Sequence, residues 1–131
     1  MEEKEIEKKY ELKKAFRWTL SVDGIDSDLI CRTSRPRFIK QNNGNWEICD
    51  ICFVMYDSVD PSGSKQVIEI IKTNKKRKAS IRLLSENGDV LEKWEMIVDL
   101  YEVDFGNLYE LEDVSITIKV KMRVHDASLV L

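Results

Sequence analysis

The residues best able to do chemistry in this sequence are two cysteines at a CxxC spacing, Cys49 and Cys52. Thiolates spaced in this way can form half of a zinc site or a redox pair. The sequence has no second CxxC, and His125 is its only histidine, so further zinc ligands are lacking. Residues three apart in a strand also point to opposite faces. We therefore expect Cys49 and Cys52 to be ordinary buried or half-buried side chains.

Other catalytic and phosphate-binding signals are incomplete. A single histidine leaves little scope for nucleophilic catalysis by a Ser–His or Cys–His pair. Gly63, Ser64 and Lys65 match the end of a phosphate-binding loop, but that motif needs a glycine where Ser58 stands. The sequence therefore predicts no catalytic, metal or cofactor-binding residues, and we expect a protein that is not an enzyme.

Two charged clusters could bind ions or nucleic acid. Asp23, Asp26 and Asp28 lie in one turn, but they lack the spacing and the terminal Glu of a calcium loop. The basic run 75–78 has no interleaved aromatic residues on which bases could stack. We expect this run to be a solvated connector, with a contact to another subunit or to DNA as the alternatives.

Length and composition favour one soluble globular domain. The chain has 131 residues, of which 43% are hydrophobic and 34% charged. Its net charge of -3 argues against tight nucleic-acid binding as the main task. No apolar run approaches the roughly 20 residues of a membrane-spanning helix. The charged stretch 1–14 does not resemble a signal peptide, and the odd number of cysteines suits a reducing cytoplasm.

The first half of the chain predicts strands and one helix. Alternation over 16–22, a turn at Asp23-Gly24 and a strand over 25–32 together predict a hairpin. The segment 46–56 is apolar on both faces and predicts one long strand. A helix is expected from 61 or 62 to 73. Its apolar stripe would comprise Val67, Ile68, Ile70 and Ile71.

The second half predicts three more strands, over 79–84, 90–100 and 114–124, with a loop over 101–112. The whole pattern indicates a mainly β (α+β) fold, an antiparallel sandwich or barrel of six or seven strands with one helix covering an end. We expect a charged N-terminal arm over 1–14 and one β domain over 15–131. The arm is either a frayed helix or mobile tail, or an arm that packs on a neighbouring subunit.

An ordered series of short motifs carries a resemblance to a known family. After the strand around Trp18 come DGID at 23–26, RP at 35–36, NW at 45–46, YD at 56–57, DPSG at 60–63, EKW at 92–94, FG at 105–106 and a final amphipathic strand. Across about residues 15–131, this succession resembles the tail tube proteins of contractile-tailed bacteriophages. The stretch between the helix and the strand at 79 is shorter and more basic than the family often has.

The resemblance implies a structural subunit that forms hexameric rings. The rings would stack into a hollow tube inside a contractile sheath, and DNA would pass through the tube on ejection. The implied partners are copies of the chain, the tail sheath protein and baseplate or initiator proteins, with only transient, non-specific passage of DNA and no membrane. The implied location is the phage tail of the virion, after assembly in the cytoplasm of the host bacterium.

Two surfaces are the expected contact sites. The polar loop between the RP and NW motifs is expected to reach the next ring, with these candidate residues: Arg35, Pro36, Gln41, Asn42, Asn43, Gly44, Asn45 and Trp46. The cationic face of the last strand, with Lys119, Lys121 and Arg123, is expected to contact a subunit or the sheath. A lumen of negative or mixed charge is expected, because moving DNA must not stick to it.

Other functions fit the same pattern. A tube initiator, a terminator, a baseplate protein or the tube subunit of a contractile-injection or secretion system would have the same fold. A monomeric ligand-binding β-barrel belongs to a different class, and it predicts a monomer with an apolar cavity.

Overall fold

The computed structural model describes residues 1–110 and 113–131, which contain two α-helices and eight strands. The helices are α1 (Glu3–Glu7) and α2 (Gly63–Thr73). The strands are β1 (Trp18–Val22), β2 (Ile30–Arg32), β3 (Phe38–Lys40), β4 (Trp46–Ile48), β5 (Ile51–Tyr56), β6 (Arg77–Leu84), β7 (Val90–Asp104) and β8 (Thr117–Leu129). A short 3-10 helix, Ser27–Leu29, precedes β2.

Six strands form one antiparallel sheet in the order β1-β6-β7-β8-β5-β2, which curls into a nearly closed barrel. Strands β3 and β4 form a separate two-stranded sheet. The predicted mainly β class is confirmed, and alternate side chains of the large sheet point inward to form the core. Its fully buried members include Leu20, Phe53, Ile81, Val98 and Val120.

Strand β8 follows the sequence pattern most directly. Ile118, Val120 and Met122 are fully buried, while the alternate residues Lys119 and Lys121 are exposed. The strand begins three residues later than predicted, at Thr117, where its pairing with β5 starts, and it continues to Leu129. The expected alternation of an apolar and a cationic face is thus present, over a shifted range.

Helix α2 starts and ends almost where predicted. Ser62 is its N-cap, and the hydroxyl oxygen of Ser62 accepts a hydrogen bond from the Lys65 amide at 3.2 Å. Val67 and Ile70 are buried, as expected. The prediction that Ile68 and Ile71 share this buried stripe is wrong, since they are 37% and 45% exposed. The buried stripe is narrower than the sequence suggests because the helix rests on the barrel with one row of side chains.

The same helix covers the end of the barrel where β1 and β5 finish. The carboxylate of Asp57 accepts hydrogen bonds from the amide and hydroxyl of Ser64, at 3.0 and 2.6 Å. The side-chain oxygen of Gln66 accepts a bond from the Asp26 amide at 2.8 Å. These contacts tie the helix to the chain segments that follow both strands.

The predicted hairpin between 16–22 and 25–32 is wrong. Strand β1 pairs with β6, while the short strand β2 pairs with β5, so the two lie at opposite edges of the large sheet. The turn forms as expected, with Gly24 at a φ of 92°. Asp26 then caps the 3-10 helix by accepting a bond from the Asp28 amide, which diverts the chain away from β1.

The single long strand predicted over 46–56 is also wrong. It breaks at Cys49 and Asp50 into β4 and β5, which belong to different sheets. The residues before it, expected to be a polar loop, include strand β3, which pairs with β4. Apolar residues on both faces of 46–56 therefore reflect two short strands with separate environments.

Two other boundaries differ from the prediction. Strand β6 begins at Arg77, because its pairing with β7 starts there, opposite Val98. Strand β7 continues to Asp104, since it stays paired with β8 up to Lys119. It thus takes in the first part of the loop predicted over 101–112, whose Leu111 and Glu112 lie outside the described residues.

The N-terminal segment contains one helical turn and an extended part. Helix α1 has no buried residue, and the Lys14 ammonium forms an ion pair with Glu7. A hydrogen bond from Lys14 to Glu7 raises the pKa of Lys14. None of the described helices is long and apolar enough to cross a membrane.

Candidate subunit-contact surfaces

The side chains first considered for chemistry lie apart in the structure. Cys49 is half-buried between β4 and β5, as expected, but Cys52 is exposed, so the prediction for Cys52 is wrong. Cys31 is exposed as well. His125 bonds to Asp99 on the neighbouring strand. Within residues 1–110 and 113–131, no group of three or more His, Cys, Asp or Glu side chains is placed to hold a metal ion. These side chains therefore do not converge on one site within the described residues.

Glu92 is the one charged residue that is buried among those described, with 4% of its surface exposed. Its carboxylate accepts hydrogen bonds from Lys13 at 2.7 Å, from the indole of Trp94 at 2.8 Å and from Arg35 at 3.2 Å. Burial alone raises the pKa of Glu92, but these three donors outweigh burial and lower it. Glu92 therefore stays ionised and holds two cationic side chains against the start of β7.

The sequence-based predictions do not include this cluster, although one signal for it exists. Glu92 lies on the same inward-facing side of β7 as Trp94, Met96 and Val98. A charged residue therefore occupies a position where the alternation predicts an apolar one. Its partners Lys13 and Arg35 are 79 and 57 residues away in sequence. Local periodicity can therefore reveal the buried charge but not the side chains that neutralise it.

The predicted inter-ring loop forms a β-hairpin. Gln41 and Asn45 close its turn through a 2.7 Å backbone hydrogen bond, and Gly44 adopts a φ of 87°. Most of the predicted contact residues are exposed, and Trp46 is 65% exposed. Pro36 is half-buried, and Arg35 points back to Glu92. The loop is thus a structured protrusion with its turn in solvent.

The hairpin is attached near the start of β7. The ring of Phe38 packs against Trp94 with 6.2 Å between centroids. Ile48, at the other end of the hairpin, packs against the barrel core. Together with the Arg35–Glu92 ion pair, these contacts orient a protrusion that is otherwise exposed. We call residues 35–48 the basic hairpin, since they contain Arg35, Arg37 and Lys40 against a single acid, Glu47.

The predicted cationic face of β8 is offset by acids on β7. In the sheet register, Lys119 lies opposite Asp104, Lys121 opposite Glu102 and Arg123 opposite Asp99. The Lys121 ammonium is 2.8 Å from the Glu102 carboxylate, and this hydrogen bond raises the pKa of Lys121. The guanidinium of Arg123 also lies over the ring of Tyr101 at 4.9 Å. The outer surface here is consequently of mixed charge.

Comparison with known proteins shows the fold. No protein-family profile matches the sequence, and no curated protein matches it. A chain of the PVC sheath-tube complex, from an extracellular contractile injection system, has a TM-score of 0.67 at 13% identity, covering 98% of this chain and 97% of that one. A chain of the PVC sheath/tube terminator structure has a TM-score of 0.69 at 13% identity, covering 93% and 98%. Hcp1 from Flavobacterium johnsoniae has a TM-score of 0.60 at 14% identity, covering 88% and 95%.

The chain therefore has the same β-barrel fold as these three proteins. The likeness extends over 88% or more of both chains in each of these three comparisons.

Proposed function

We propose that this chain is a structural subunit of a contractile tail tube. Copies of it assemble into hexameric rings, and the rings stack into a hollow conduit inside a contractile sheath. The observation that carries the proposal is the fold shared along 98% of the chain with a protein of a sheath-tube complex. The role is one of assembly, not of enzymatic catalysis.

The free edges of the large sheet support this assembly. Strands β1 and β2 are its two outermost strands, and among the described residues each has one side without a strand partner in that sheet. Unpaired edges are sites where another chain can add. A ring closes when each copy presents one edge region to its neighbour, which is a head-to-tail contact between two different surfaces.

The barrel interior argues against a ligand-binding barrel. The inward side chains of the six strands fill it, and Phe53, Ile51, Met55 and Met122 are at most 1% exposed. A protein of the ligand-binding class needs an apolar cavity of several hundred Å³ at that place. The filled interior therefore favours a structural subunit of a larger assembly over a ligand-binding protein.

The likeness to a chain of the sheath/tube terminator structure favours a second role on the same fold. A terminator, tube initiator or baseplate protein would join the tube without repeating along it. In either role the proposed partners are further copies, the sheath protein and baseplate proteins. DNA ejection from a phage virion, after assembly in the bacterial cytoplasm, is the specific setting that the motif order favours.

The contact surfaces are proposals of the same kind. We assign the inter-ring contact to the basic hairpin, because its turn projects into solvent from the end of the barrel opposite to α2. We assign Lys119, Lys121 and Arg123 to a subunit or sheath contact, since they lie in one row on an exposed strand face.

Electron microscopy of the purified chain, with light scattering alongside, tests the proposed function. Rings or hollow tubes of uniform width are the expected result. Tubes of many rings would favour the repeating subunit, and single rings that cap tubes would favour the terminator role. A strict monomer at millimolar concentration that also fails to join tubes of a related system would overturn the proposal.

A further inference from the structure

Two segments at different places in the barrel carry opposite charge. The basic hairpin has three cations and one acid. The segment that starts at the last residue of β7 has three acids in its described part, residues 104–110 and 113–116, and no lysine or arginine there. Its acids are Asp104, Glu110 and Asp113. We call these described residues the acidic segment.

Both segments also expose large apolar side chains. On the basic hairpin, Trp46 is 65% exposed and Ile39 is 41% exposed. On the acidic segment, Leu108 is 83% exposed and Tyr109 is 57% exposed. Exposed apolar groups of this size, surrounded by charges of one sign, are typical of surfaces that bind another protein.

The acidic segment also forms a recess. A cavity of about 380 Å³ lies between it and the start of β8, and Leu108, Tyr109, Val114 and Ile116 are among its lining residues. Its lining also includes Asp104 and Lys119, which lie opposite each other in the sheet register, while Glu110 and Asp113 belong to the same segment. The apolar part of the recess can receive an aromatic side chain, and the net acidity of the segment suits cations beside that side chain. Trp46, on the same hairpin as Arg37 and Lys40, is such a side chain.

The two segments lie toward opposite ends of the subunit. The basic hairpin contacts β7 at Trp94, near the start of the strand, and the acidic segment begins at Asp104, its last residue. Ten residues of extended chain, roughly 33 Å, separate these two points. The hairpin of one subunit is therefore too far from the acidic segment of the same subunit to contact it. In two subunits arranged head to tail, the hairpin of one can contact the acidic segment of the other.

We propose that the basic hairpin of one copy docks on the acidic segment of the next copy along the tube, with Trp46 entering the recess. The inference rests on the proposed function, and it assigns the receiving surface for the inter-ring contact. Two different surfaces at opposite ends make a heterologous contact, which repeats without closing and so extends the assembly. Nucleic acid is disfavoured as the occupant of the recess, since the acidic segment repels phosphates.

Reversal of the charges on each side tests the contact. One variant carries Arg37→Glu and Lys40→Glu, and a second carries Glu110→Lys and Asp113→Lys. A third combines all four changes and restores the attraction with its sign exchanged. The matched control combines Arg37→Glu and Lys40→Glu with Glu69→Lys and Glu86→Lys, exposed residues on α2 and in the β6–β7 turn, so that its net charge equals that of the third variant.

The readouts are the fraction of protein that pellets as tubes and the head-to-tail association of subunits or rings in analytical ultracentrifugation. We expect each two-site variant to lose about tenfold or more in association, because like charges now face each other. The four-site variant should recover, as should a mixture of the two two-site variants, while the matched control should not. Circular dichroism must show all variants folded, and high salt should weaken the wild-type contact.

The outcomes separate the inference from the proposed function. Tubes that form equally in all variants would overturn the inference and leave the proposed function standing. If association follows the charge pattern but no rings or tubes form, the contact between hairpin and acidic segment would be supported. The proposed function as a tube subunit would then be contradicted. Failure of both the four-site variant and the mixture to recover, with both folded, would also overturn the inference.

Discussion

The guanidinium of Arg35 lies 3.2 Å from the carboxylate of Glu92, across 57 residues of sequence. Glu92 is buried, and Arg35 is more than half exposed at the base of the basic hairpin. The pair thus links the packed interior to the exposed basic hairpin. Lys13 completes the link from the N-terminal side, so one carboxylate fastens two segments that contribute little to the core.

Glu92→Gln is expected to lower the free energy of unfolding by about 1–2 kcal/mol, since hydrogen bonds to a charged group are replaced by weaker neutral ones. Chemical denaturation measures this change. Hydrogen exchange should also show faster exchange in the basic hairpin than in β8. Glu95→Gln, an exposed residue on the same strand, is the control and should change stability by less than about 0.5 kcal/mol. Unchanged exchange in the hairpin would contradict the role of Glu92.

The same carboxylate makes stability depend on acid pH. The pKa of Glu92 in the folded protein is below its ordinary value of 4.5, so its contribution is present above that value and is lost as pH falls through the lowered pKa. We expect the wild-type protein to lose more stability than Glu92→Gln on acidification below about pH 4.5. Thermal unfolding at a series of pH values measures this difference. Parallel curves for the two proteins would refute the assignment.

Ser62→Ala should destabilise the protein by about 1 kcal/mol, because the Lys65 amide at the start of α2 loses its cap. Ser62→Asp is the matched variant, since aspartate also caps well and should retain nearly full stability. Equilibrium urea denaturation distinguishes the two. Equal losses in both variants would show that the hydroxyl acts through another contact.

Deletion of residues 41–45 should leave folded subunits that still form rings but do not elongate. The turn lies at the exposed tip of the hairpin, so its removal does not disturb the core. Negative-stain microscopy shows whether rings or tubes are present. Deletion of residues 86–88, in the exposed turn between β6 and β7, serves as a control for shortening a hairpin. Normal tubes from the 41–45 deletion would remove the hairpin from the inter-ring contact.

Lys121→Gln with Arg123→Gln should leave folding nearly unchanged, since exposed ion pairs contribute little, about 0–1 kcal/mol. Ring formation or sheath binding should nevertheless weaken, because the row of side chains on β8 loses two charges. Lys72→Gln on α2, which also removes an exposed ion-paired lysine, is the control. Co-sedimentation with sheath and sizing of rings measure the two contacts. Retention of both in the β8 variant would end this assignment.

The inter-ring candidate was predictable in part. Asn-Gly at 43–44 indicates a tight turn, and the turn is present. The two short strands beside it were missed, because three-residue strands leave little alternation to detect. The charge balance on β8 could not be predicted, since the acids that face Lys119, Lys121 and Arg123 belong to another strand.

The sequence by itself determined the fold class, helix α2 and the buried face of β8. Each of these depends on a local pattern: the alternation of Ile118, Val120 and Met122, or a cap at Ser62 followed by apolar residues at helical spacing. Only the tertiary structure decided that β1 pairs with β6, that the segment after Ile48 changes sheet, and that Glu92 gathers Lys13 and Arg35. These features depend on contacts between residues that are far apart in the chain. The energies of such contacts produce no periodic pattern in the local sequence.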